Sequence, residues 1–126
     1  MCPWVRSLLL LAGLFGASGV AASAVATHLA GGASLTTAAQ FLLFHAAALI
    51  ALSAISQHMG RGRVSLLAGA SAIALGTLLF SGDLALRTLM EIKLLWGTAP
   101  VGGMLMIAGW LMVAIGGAFG AARTTS

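Results

Sequence analysis

Three histidines, two carboxylates and one thiol are the side chains of this sequence best suited to chemistry, and few of them stand at spacings that chemistry uses. His45 lies inside an unbroken apolar run, where an imidazole needs a hydrogen-bond partner and can change charge near neutral pH. His28 follows the first such run and Asp83 follows the third, so the three could meet in one half of a helical bundle. Asp83, Arg87 and Glu91 recur at i, i+4 and i+8, which places one arginine between two acids on a single helical stripe. A pocket of His28, His45, Asp83 and Arg87 would suit a cation or a polar headgroup. The plainer reading of the same residues is a hydrogen-bonded contact between helices and a helix-end ion pair.

Other chemistries find less support. His45 and His58 would lie ~20 Å apart along one helix, and no histidine has a second ligand three or four residues away, so no metal is expected. There is no Ser-His-Asp order, no phosphate loop and no Cys-x-x-Cys, and Gly60-Arg61-Gly62 reads as a turn rather than a nucleotide motif. Cys2 has no partner for an intrachain disulfide. The expectation is a protein that is not an enzyme and carries no cofactor.

The elements that must position these residues are read from where the charges fall. Residues 7–27, 35–57, 64–82 and 94–122 contain no Asp, Glu, Lys or Arg, and each is near or above the ~20 residues that cross a bilayer as a helix. With 60% hydrophobic and 6% charged residues, 126 residues could not bury this much apolar surface in a soluble fold. The fold class is therefore all-α, an integral membrane bundle of four transmembrane helices forming one domain over 1–126, with spans at about 4–26, 37–57, 64–83 and 99–122. Met1–Arg6 also resembles the basic start of a signal peptide, with Ala22-Ser23-Ala24 or Ala24-Val25-Ala26 as cleavage sites. The apolar stretch behind it exceeds the roughly 7–15 residues of a signal core, so the first span is read as retained.

Local chemistry sets the expected boundaries. Gly31-Gly32 breaks the chain after the first span, Thr37-x-x-Gln40 reads as a capping box for the second, and Pro100 suits the first turn of the fourth, after Thr98 as N-cap. Residues 84–97 are either a continuation of the third helix or a short interfacial helix. An even number of spans puts Arg6, Arg61, Arg63 and Arg123 on one side, which the positive-inside rule makes cytoplasmic together with both termini. Trp4 and Trp96 fall near opposite interfaces, while Trp110 lies mid-span and is expected to pack between helices. The net charge of +4 is scattered over helix ends, which speaks for topology and against nucleic acid as a partner. Small residues line the spans: Gly13, Gly16 and Gly19 in the first, Ala68, Ala72 and Gly76 in the third, Gly116-x-x-x-Gly120 in the fourth. Such strips let helix backbones approach closely in lipid, either within the bundle or against a second copy or a larger membrane-protein partner.

At Ala74-Leu-Gly-Thr-Leu-Leu-Phe-Ser-Gly82, Pro100-Val-Gly-Gly103 and Ala108-Gly-Trp110 the chain resembles the YgdD family of small multi-pass membrane proteins, catalogued as domain of unknown function 423 and similar to the eukaryotic transmembrane protein 256 group. The resemblance covers nearly the whole chain. The family's Gly-Ala-Phe-Gly-Ala-His stands here as Ser23-Ala24-Val25-Ala26-Thr27-His28, and its Phe-His pair as Phe44-His45. Asp83 replaces the usual Ser, and Phe41, Leu42 and Leu43 stand where polar residues often precede Phe-His. The resemblance implies a four-helix inner-membrane fold and no activity. Function is thus expected to be that of a small accessory or interaction protein packing through Gly/Ala-rich faces; the alternative is a minimal transporter or an ion-, proton- or lipid-binding protein using the His/Asp pocket.

Overall fold

The computed structural model describes residues 1–28, 32–91 and 97–122. Gly31, Trp96 and Arg123 lie outside the described residues. Four helices follow one another: α1 (Pro3–His28), α2 (Ala33–Ser56), α3 (Arg63–Met90) and α4 (Thr98–Ala118). All four are long and apolar enough to cross a membrane. The chain is an all-α, four-span integral membrane bundle.

The helix ends correct three boundary expectations. α2 begins at Ala33 behind an N-cap at Gly32, with Thr37 already inside it. The Thr37 hydroxyl donates back to the Ala33 carbonyl at 3.1 Å, so it serves as a helix-interior threonine and not as a capping box. α3 runs through Asp83 to Met90, which makes residues 84–90 a continuation of the helix; Glu91 then ends it in the left-handed conformation, at φ 54°. α4 starts behind Gly97, whose φ of 84° suits glycine, so Thr98 is the first helical residue and not the cap.

Neighbours in sequence are neighbours in space, and α3 is the central element. It packs along α2 on one side and most closely along α4 on another, whereas α1 packs along α2 and meets α3 only at an edge. The α1 packing face recurs at three- and four-residue steps through Val5, Leu8, Ala12, Phe15 and Gly19. It lies against Leu42, Ala46, Leu49 and Leu52 of α2. A mean step near 3.5 residues lets long helices stay in register side by side.

The closest approach in the molecule is the α3/α4 seam. Here glycines recur every seven residues on both chain segments and meet in antiparallel register: Gly62 against Gly116, Gly69 against Gly109, Gly76 against Gly102. A methyl group added at Gly76 would stand 2.5 Å from the Gly102 carbonyl oxygen, and one added at Gly69 or Gly109 would stand 2.7 Å from the facing glycine's carbonyl oxygen. No larger residue fits without separating the backbones. Gly62 is doubly constrained, because it also adopts φ 83° at the start of α3. Ser65 donates across the seam to the Met112 carbonyl at 2.9 Å, and the buried Thr77 hydroxyl reaches the Met106 sulfur at 3.4 Å. In lipid, where apolar contact between helices gains little, such close packing and hydrogen bonding are what hold helices together.

One end of the bundle gathers the chain start, the α2/α3 linker and the last described residues. Gly60 N–H donates to the Ala121 carbonyl at 2.9 Å and Ala121 N–H returns to the Arg61 carbonyl at 3.1 Å, while Arg63 touches Cys2. Arg6, Arg61 and Arg63 share that end.

Candidate functional site

His45 occupies the middle of α2, the thirteenth of its 24 residues, and Trp110 occupies the thirteenth of the 21 residues of α4. The imidazole therefore sits at mid-helix, away from the helix ends where His28 and Asp83 were expected to meet it. Trp110 Nε1 donates to His45 Nε2 at 3.2 Å, and His45 Nδ1 lies 2.8 Å from the Phe41 carbonyl of its own helix. Since the indole nitrogen can only donate, Nε2 must accept and Nδ1 must carry the proton that goes to Phe41. Both ring nitrogens are thereby committed by one neutral tautomer. Around them the Phe41 ring lies at 5.6 Å from the imidazole and 4.7 Å from Phe80 of α3. The cluster ties α2, α3 and α4 at mid-membrane, where an unbonded imidazole would be costly. Trp110 is 43% exposed, so it reaches His45 from the bundle surface and is not packed between helices as expected.

Asp83 is fully buried, and Arg87 Nη2 approaches its Oδ2 to 2.8 Å across one helical turn. The contact is an ion pair by distance, but among the described residues neither carboxylate oxygen has an aligned hydrogen bond. The seam register explains why a carboxylate is tolerated there. Gly102 lies against Phe80, so Asp83, one turn further along α3, stands level with the first turn of α4 and its positive dipole end. Glu91 does not complete the expected stripe, because the helix ends in a left-handed residue at that position.

His28 is exposed at the end of α1 and does not point into the bundle. Among the described contacts none joins His28, His45 and Asp83: His45 is tied to Trp110 and Asp83 to Arg87. Among the described residues no group of three His, Cys, Asp or Glu stands close enough to hold a metal ion. His58 is exposed in the α2/α3 linker.

The glycines divide by environment. Gly76 and Gly116 lie in the α3/α4 seam. Gly120, just past α4, packs on Met59 and Arg61 of the linker, so the Gly116-x-x-x-Gly120 strip joins α4 to the start of α3 and to the linker before it. Gly16 faces Ala46 of α2 at an ordinary contact distance, whereas Gly13 faces open space.

Sequence reasoning passed over a polar group at the arginine end. Cys2 caps α1: its sulfur accepts from the Val5 and Trp4 amides and from Arg63 Nη2, the last at 3.4 Å. The Val5 amide, and after it the Arg63 charge, hold the thiol below its ordinary pKa against the opposing effect of burial. Trp4 Nε1 donates to Ser71 of α3 at 2.7 Å, and Ser71 in turn to the Leu67 carbonyl. Arg63 Nε is buried without a partner. The available signal was the four-residue recurrence of Arg63, Leu67 and Ser71, which puts all three on one stripe of α3.

Small size, four apolar helices and polar residues spent on helix contacts define a small multi-pass membrane protein. The model of a protein family of unknown function, DUF423, matches residues 8–103. The chain belongs to the DUF423 family. It is 32% identical over 104 residues to a UPF0382 membrane protein of Staphylococcus saprophyticus, covering 82% of each chain. It is 35% identical over 78 residues to a counterpart in Staphylococcus haemolyticus, covering 62% of each. To the UPF0382 inner membrane protein YgdD of Escherichia coli it is 33% identical over 84 residues, 65% of this chain and 61% of that one. No solved structure matches the chain.

Proposed function

We propose that this protein is a non-enzymatic packing partner of the inner membrane, which associates through α1 with a second copy or a larger membrane protein. The observation that carries the reading is a division of labour among small residues. The α3/α4 glycines are consumed inside the bundle, while Gly13, Ala17 and Ala21 form an exposed small-residue face on α1 with open space over Gly13. The mid-membrane His45 and Trp110 are likewise occupied with each other. The alternative, a conduit or binding protein built on a pocket of His28, His45, Asp83 and Arg87, finds less support, because His45 is tied to Trp110, Asp83 and Arg87 pair only with each other, and His28 is exposed. The name of the Escherichia coli relative supports the inner membrane as location. Arg6, Arg61 and Arg63 at one end support cytoplasmic termini.

Cross-linking in native membranes tests the association. With Cys2 replaced by Ser, Ala17→Cys should give a cross-linked adduct with a thiol-to-amine or thiol-to-thiol reagent, and Met104→Cys on the exposed side of α4 should give little. Equal yields at both positions would overturn the α1 assignment. For orientation, a phosphatase fused after Ser126 should be inactive; an active fusion would reverse the topology.

A further inference from the structure

The packing faces of the helices leave one seam unfilled. α1 turns Val5, Leu8, Ala12 and Phe15 onto α2, and α3 turns its glycines onto α4, so α1 and α3 diverge where they face each other. Two clefts of about 210 and 280 Å³ lie along this seam and share Leu11 and Leu78 as walls, forming one apolar groove open toward lipid. The Trp4–Ser71 hydrogen bond marks one end and Ala85 the other. Fourteen residues of α3 separate Ser71 from Ala85, ~21 Å, enough for an acyl chain crossing one leaflet of ~15 Å.

Arg63 lines neither cleft, but its guanidinium reaches Cys2, two residues before Trp4, at the end of the groove that the Trp4–Ser71 bond marks. Arg63 lies on the same α3 stripe two turns before Ser71, with the Cys2 sulfur as its one described partner and no carboxylate beside it among the described residues. The two acids of the sequence, Asp83 and Glu91, belong to the opposite end, and Arg6 and Arg61 stand exposed at this one. The N-terminus of α1, also positive, opens on the same side. An apolar slot the length of an acyl chain, headed by an arginine without a counter-ion, matches one kind of occupant.

We propose that the α1/α3 seam holds one acyl chain of an anionic phospholipid whose phosphate pairs with Arg63. The lipid fills a gap that the protein's own side chains leave, and it supplies the missing anion at the arginine end. This inference does not depend on what associates with α1.

Reconstitution in vesicles of equal phosphatidylcholine and phosphatidylglycerol, gentle extraction and native mass spectrometry count the lipids that stay bound. One lipid should be retained, with phosphatidylglycerol favoured about fivefold, the scale of one arginine near a membrane surface. Arg63→Gln should abolish the preference while Arg63→Lys keeps it. Gly82→Phe puts a ring into the groove where a side chain now meets open space, and should lose the lipid; Gly103→Phe, equally open but on α4, should retain it. Retention of both lipids in their bulk ratio by the unaltered protein would overturn the proposal, and so would a Gly82→Phe protein that holds lipid as the parent does.

Discussion

Alanine substitution at the glycines should split them into two groups of opposite sign. In the middle of a helix alanine is favoured over glycine by ~0.5–1 kcal/mol, so positions with free space should be stabilised by up to that amount. Gly13 and Gly103 are such positions, with no atom within 4 Å of an added methyl. At Gly76 the methyl would stand 2.5 Å from the Gly102 oxygen and 2.8 Å from the Met106 nitrogen, and at Gly109 2.7 Å from the Gly69 oxygen and 2.9 Å from the Ile73 nitrogen. These obstacles are backbone atoms, so the seam must open. Overpacking of this kind costs ~1–3 kcal/mol, and after the helix-propensity gain the net loss should be ~0.5–2 kcal/mol. Unfolding by dodecyl sulfate titration in mixed micelles, followed by circular dichroism, reads both groups on one scale. Gly76→Ala and Gly109→Ala should unfold at lower denaturant than the parent, Gly13→Ala and Gly103→Ala at equal or higher. If all four shift alike, the antiparallel glycine register does not govern the stability of this bundle.

The α1/α2 contact makes a second prediction: Gly16→Cys with Ala46→Cys should form a disulfide on mild oxidation, since the Cβ positions lie 3.9 Å apart, while Gly13→Cys with Ala46→Cys should not. The Cys2 thiol, held below its ordinary pKa, should be alkylated by maleimide at neutral pH faster than a free cysteine, and Arg63→Gln should move its rate-against-pH curve upward only part of the way, because the Val5 and Trp4 amides remain. A curve unchanged by Arg63→Gln would remove the arginine from the account of that thiol. Trp110→Phe should destabilise the bundle by ~0.6–1.7 kcal/mol, the range of interhelical hydrogen bonds in membranes, and His45→Phe in the same background should cost little more. Fully additive losses would mean the two side chains do not act as a pair.

The spans were legible because uncharged runs of bilayer length leave the chain no other fold, and Pro100 and the arginine distribution follow from equally local chemistry. Boundaries were less so. Thr37 has the residue type of a cap, but its hydroxyl is equally content with a carbonyl one turn back, and Gly32 ends the preceding turn first. α3 runs past Asp83, and Arg87 pairs with that carboxylate at i+4, a spacing visible in the sequence but equally compatible with an interfacial segment. The small residues stand out in the sequence at three- and four-residue spacing, yet the α3/α4 seam uses a seven-residue glycine repeat that only the antiparallel pairing makes meaningful. The same limit applies to the polar residues. His45 and Trp110 are 65 positions apart, and nothing local says that they meet, so a grouping of His28, His45 and Asp83 by depth alone joined residues that the helices send in different directions.

If intramembrane polar residues hold these helices together, His45 must be committed to its two neighbours. Nitrogen NMR of the protein with labelled histidine, reconstituted in lipid bilayers, distinguishes the two ring nitrogens of that imidazole. Nδ1 should carry the proton and Nε2 should be unprotonated in a hydrogen bond from the Trp110 indole, with the Nε2 signal shifting in Trp110→Phe. A proton on Nε2, or a spectrum untouched by Trp110→Phe, would leave His45 free of the helix contact and contradict the claim.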